Sequence, residues 1–165
     1  MYRTCVAVLG AAALAMAGCG EEKGSSKASG GAGKPLTKAQ FIARADAVCR
    51  DVKRAQLPFT ERVDKLPDRT SIARVAPLLE GSLAESRAGL ARLRALPAPR
   101  RDKAALDAYF GSAARLLEAH RRLADAARTN DREAGEQVAR TTDALSHDQR
   151  RLATAYGFKD CDNVF

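Results

Sequence analysis

The stretch Leu36-Thr37-Lys38-Ala39-Gln40-Phe41-Ile42-Ala43-Arg44-Ala45-Asp46-Ala47-Val48-Cys49 decides the fold. Thr37 and Gln40 form a capping-box pattern, in which each side chain serves the other's backbone N–H, and Leu36 with Phe41 makes a hydrophobic staple around it. A helix is therefore predicted from Lys38. Phe41, Ile42, Ala45, Val48, Cys49 and Val52 recur at spacings of three and four, which is one apolar stripe on a helix. Pro58 predicts the stop, because it lacks the N–H that bonds back one turn. Phe59 to Leu66 then reads as a short helix or ordered loop ending at Pro67.

Such a stripe needs other helices to cover it, and the sequence beyond supplies three. A second helix is predicted from Asp68 or Thr70 to Leu96, with Ile72, Val75, Leu79, Leu83, Ser86, Leu90 and Leu93 on one face; Pro77 restricts its first turns. After Leu96-Pro97-Ala98-Pro99, a third presents Leu106, Tyr109, Phe110, Ala113, Leu116, Leu117, His120, Leu123 and Ala127 and ends near Thr129. Asn130 with Glu133 reads as a second capping box. It opens a fourth helix with Ala134, Val138, Thr141, Leu145, Leu152, Ala155 and Tyr156 on its seam, stopped by a Schellman-type Gly157-Phe158. Short connections make neighbours antiparallel, so the fold class is all-α, an up-down bundle of about four helices. The last seam is thin, since Thr141 and either Asp148 or Gln149 stand where Leu is expected.

Composition agrees. The chain has 165 residues, 34 of them Ala, with 5% aromatics and no Trp. That is one domain's worth of chain, disposed to helix rather than to a sandwich or barrel. The first residues stand apart. Met1 to Arg3 carry one basic side chain, and Val6 to Ala17 is an uncharged run too short to span a membrane as a mature helix. Its end, Ala15-Met16-Ala17-Gly18-Cys19, resembles the lipobox of bacterial lipoproteins, with Met16 less usual at its position. The resemblance implies a signal peptide over residues 1–18, cleavage before Cys19, and a diacylglycerol-bearing, acylated Cys19 that anchors the protein on the extracytoplasmic face of the cell membrane. Residues 19–34 continue as a Gly, Ser and Lys-rich tether with a reach of roughly 20 Å, and residues 35–165 form the domain.

Cysteine arithmetic follows from that resemblance. Cys5 leaves with the signal, Cys19 carries lipid, and only Cys49 and Cys161 remain to pair in an oxidising compartment. A ring of about 112 residues is worth on the order of 5 kcal/mol in the chain-entropy account. The opening stretch and the closing Ala155-Tyr156-Gly157-Phe158-Lys159-Asp160-Cys161 resemble the ends of small lipoproteins of high-GC Gram-positive bacteria. The resemblance implies fold and location; that group is largely of unknown function and transfers no catalytic residue.

No chemistry-bearing constellation emerges. On antiparallel helices His120 and His147 fall about 10 Å apart along the axis, too far to share an ion. There is no Gly-x-Ser-x-Gly elbow and no phosphate-binding glycine loop, so neither enzymatic activity, metal nor cofactor is expected. His120 reads as a core or boundary histidine. The net charge of +8 is the suggestive feature. Removal of Arg3 leaves +7, of which the tether holds +1 and the domain +6. Arg92, Arg94, Arg100, Arg101 and Lys103 gather around one turn, a candidate patch for an anionic envelope polymer or lipid, or for a partner protein. Alternatively they are solvated surface cations. Export excludes intracellular nucleic acid. The expected function is a non-catalytic binding or scaffolding module of the cell envelope, with an enzyme or enzyme accessory built on the fourth helix's polar seam as the other class.

Overall fold

The computed structural model describes residues 34–67 and 70–165. The expected signal peptide, Cys19, nearly all of the tether and Asp68 lie outside the described residues. Four helices run in chain order: α1 over Lys38–Asp64, α2 over Ala76–Arg94, α3 over Lys103–Arg128 and α4 over Arg132–Tyr156. Short 3₁₀ turns at Ile72–Arg74 and Arg100–Asp102 lead into α2 and α3. The described residues hold no strand. The bundle is layered by neighbours in sequence: α2 packs on α1 and α3, and α4 lies along α3.

The cap of α1 is as expected: Gln40 N donates to Thr37 Oγ1 and Thr37 N donates to Gln40 Oε1. The expected stop at Pro58 is not. Helix α1 runs six residues past it to Asp64. Pro58 and Arg54 are both exposed, and on a solvent-facing side of a helix a carbonyl without its N–H donor is hydrated, so the break costs little. The second helix also differs, starting at Ala76 rather than at Thr70. Pro77 lies in its first turn, where its missing N–H would have no partner anyway.

The α3–α4 junction corrects a further expectation. Asp131, not Asn130, caps α4, accepting from Ala134 N at 3.0 Å. Asn130 sits at φ 55°, a left-handed conformation that its short polar side chain tolerates, and this reverses the chain. At the other end Gly157 adopts φ 102°, Gly157 N donates to Thr154 O, and Phe158 N donates to Ala153 O. Those two bonds are the Schellman pair.

The core joins both ends of the chain. Phe41, Ala45, Cys49 and Val52 of α1 meet Leu106, Tyr109, Ala113 and Leu116 of α3, Ala153 and Tyr156 of α4, and Phe158, Cys161, Val164 and Phe165 of the tail. Cys49 and Cys161 are disulfide-bonded and fully buried, with Cα atoms 5.2 Å apart. Rings cluster beside them: Phe158 lies 4.7 Å from Tyr156 and 4.9 Å from Tyr109, centroid to centroid, within the favourable range for tilted aromatic pairs. The seam of α4 is as thin as expected, but its members change. Ala153, Gln149 and Tyr156 are buried, whereas Thr141 and Ala155 face solvent.

Candidate functional site

The cationic turn between α2 and α3 is a built hollow. Arg94, Arg100 and Lys103 stand around a groove of about 640 Å³ whose floor includes Pro99, Leu106 and Phe110. Arg94 Nη2 donates to the Phe110 carbonyl at 3.2 Å, and its guanidinium lies 5.9 Å from the Phe110 ring centroid. The groove opens at the first turn of α3, where Asp102 makes no side-chain cap. Its carboxylate instead accepts from the Tyr156 hydroxyl at 2.9 Å. Burial and that carboxylate together raise the Tyr156 phenol. Lys103 is paired with Asp107 at 2.5 Å, while Arg94 and Arg100 have no carboxylate partner among the described residues. Of the five cations expected to act together, Arg92 and Arg101 are exposed but do not line the groove. The turn offers two guanidinium groups without a carboxylate partner among the described residues, over an apolar floor and beside the Lys103–Asp107 pair, which suits an anionic group on a partly apolar carrier.

A second hollow escaped the sequence reading. Gln56 of α1, Ser82 and Ser86 of α2, His120 of α3 and Asn163 of the tail surround a cavity of about 270 Å³. Gln56 Nε2 donates to Ser86 Oγ at 2.6 Å and to the Val164 carbonyl at 3.3 Å, and Ser86 Oγ donates to Ser82 O at 3.1 Å. Burial lowers the His120 pKa from its usual value, so the imidazole is neutral at pH 7. His120 had signalled only as a polar residue on an apolar face. The tail that completes the cavity is more than 100 residues from Gln56, a separation no local pattern reveals.

The tail is held by a lock of side chains. Asp46 is 4% exposed, and its Oδ1 accepts from Lys159 N and Asp160 N, both at 3.0 Å. The Tyr109 hydroxyl donates to the Cys161 carbonyl at 3.1 Å, with burial pushing the phenol well up. Arg50 with Asp160 and Lys53 with Asp162 add ion pairs at the rim. Cys49 and Cys161 thus sit inside a docking site for the tail.

The polar seam of α4 divides into two structural roles. Asp148 accepts from Arg151 and Ser112, and these bonds, Arg151's the stronger, hold its carboxyl below the usual range. Gln149 is fully buried, and neither of its amide atoms has a hydrogen-bond partner. It lies near the Tyr109 hydroxyl and opposes the rise of that phenol, without completing a bond of acceptable geometry. Thr141 lines a groove of about 680 Å³ between α3 and α4 with Arg115, Glu118 and Arg122. The Arg121 guanidinium beside Glu118 holds its carboxyl at about 2. Neither Asp148 nor Gln149 reaches that groove. Set against known proteins, the chain matches no family model, no curated protein and no solved structure.

Proposed function

We propose that the protein is a lipid-anchored, extracytoplasmic lipoprotein whose helical domain is a non-catalytic binding or scaffolding module of the cell envelope. The observation that carries this reading is the buried Cys49–Cys161 bond. Disulfides persist where the surroundings are oxidising, and these are the two cysteines left once a lipobox at Cys19 has been processed. Among the described residues no helix is long and apolar enough to cross a membrane, and the reading assigns attachment to acyl chains on Cys19. The resemblance to small lipoproteins of high-GC Gram-positive bacteria supports the same location. Cell fractionation tests it: the native protein sediments with membranes, and Cys19→Ser releases it. A Cys19→Ser protein still fully membrane-bound overturns the reading.

The groove of Arg94, Arg100 and Lys103 favours a second, compatible reading, in which the module grips an anionic envelope polymer or lipid. Contacts of this kind weaken steeply with salt. Pull-down on cell-wall preparations should therefore fall as sodium chloride rises, and Arg94→Glu with Arg100→Glu should abolish it. Binding indifferent to salt would exclude the electrostatic reading.

A further inference from the structure

The cavity between α1, α2, α3 and the tail differs in its charge from four other hollows among the described residues. The grooves at Arg94, Arg115, Arg132 and Arg128 all carry ionised side chains. This cavity has none, in a chain that is 29% charged. Its polar lining is hydroxyl, carboxamide and imidazole: Thr60, Ser82, Ser86, Gln56, Asn163 and His120. We propose that it binds a small, uncharged, polyhydroxylated molecule, a single sugar or cyclitol ring, independently of the cationic groove and of the anchor.

Four observations carry the assignment. The Gln56 amide is fixed by its two bonds, to Ser86 and to the Val164 carbonyl, which leaves its carbonyl oxygen as an oriented acceptor. Ser82, His120 and Asn163 make no side-chain hydrogen bond among the described residues, so they add donors and acceptors in mixture. A hydroxyl group both donates and accepts, and a ring bearing several matches that mixture better than a carboxylate or an ammonium. Leu79, Leu123 and Phe165 give the cavity an apolar side for the C–H face of such a ring. At about 30 Å³ per water the space holds roughly nine waters, the bulk of one ring with some solvent. An anion would lose hydration there and find no cationic side chain in the lining.

The tail supplies one wall of the cavity, since Asn163, Val164 and Phe165 line it and the Cys161 disulfide ties them to α1. Binding should therefore require the docked tail. The test is titration of the detergent-solubilised protein with glucose, N-acetylglucosamine and myo-inositol, beside glucose 6-phosphate and glucuronate as charged counterparts. Calorimetry would give affinity, and amide chemical shifts the location. At least one neutral probe should bind with a Kd on the order of 1 mM, the affinity normal for so few atoms. Its shifts should centre on Ser82, Ser86 and Asn163, and the charged probes should bind at least tenfold more weakly. Ser82→Ala and Asn163→Ala, neither of which removes an existing side-chain bond, should each weaken binding roughly fivefold with the melting temperature unchanged. Saturable binding by none of the neutral probes, equal binding of the charged ones, or shifts centred elsewhere overturns the proposal.

Discussion

Replacing Asp46 with Ala removes one oxygen that two backbone N–H groups share. Asp46 is 4% exposed and receives Lys159 N and Asp160 N at 3.0 Å each, across 113 and 114 residues of chain. Hydrogen bonds to a charged partner contribute about 1.5–3 kcal/mol each, and the disulfide keeps the released N–H groups close to the bundle, where some regain water. Asp46→Ala should thus cost about 3–5 kcal/mol. Over the 131 residues of the domain, an unfolding entropy of about 2.1 cal/mol/K per residue converts that to a fall of roughly 11–18 °C in Tm. Asp46→Asn keeps an acceptor oxygen and loses only the charge, so it should cost about half as much. The assay is urea and thermal unfolding by circular dichroism with the disulfide intact. A change for Asp46→Ala within about 0.5 kcal/mol, the range of ordinary surface substitutions, would refute the lock, and so would equal effects of Ala and Asn.

Three further outcomes follow from the packing. A Cβ on Gly89 would come within 2.2 Å of Val52 Cγ2, whereas one on Gly111 meets only the Arg115 guanidinium at 3.8 Å. Thermal melts should therefore show Gly89→Ala losing about 1–3 kcal/mol and Gly111→Ala gaining up to about 1. Gln149→Leu replaces a buried amide without partners by an apolar group of similar size. Chemical denaturation should find it about 1–3 kcal/mol more stable, and a loss of stability would mean that the amide makes bonds absent here. His120 is depressed by burial, so the unfolded chain binds its proton first as the pH falls. Its stabilising contribution is complete above pH about 6.5 and is lost as the pH drops below that towards the lowered folded value. Unfolding free energies between pH 7 and 5 should show this slope in the native protein and a flatter one in His120→Gln.

Local signals were legible in the residues and distant ones were not. The Thr37–Gln40 box, the three-and-four spacing of α1 and α3 and the Gly157-Phe158 stop each act within one or two turns, and each is present as read. Pro58 misled because its cost depends on exposure of the freed carbonyl, which is a property of the packed bundle. At the α3–α4 turn two polar residues competed for one cap, and the left-handed backbone of Asn130 decided for Asp131. The cationic turn was visible, but helix phase determines that Arg94, Arg100 and Lys103 share a groove while Arg92 and Arg101 do not. Asp46 and the Gln56 cavity depend on a tail that returns across more than 100 residues, and alternation of apolar and polar residues carries no record of that. The pairing of Cys49 with Cys161 was accessible only through counting, since the processing expected from the lipobox resemblance at Cys19 would leave no other thiol.

Intact mass spectrometry of the protein purified from membranes without reductant tests the central claim most directly. One species is expected that begins at Cys19, carries acyl groups there, and is two hydrogens lighter than the fully reduced chain, with peptides holding Cys49 and Cys161 linked. A chain beginning at Met1 with free thiols at Cys49 and Cys161 would contradict it.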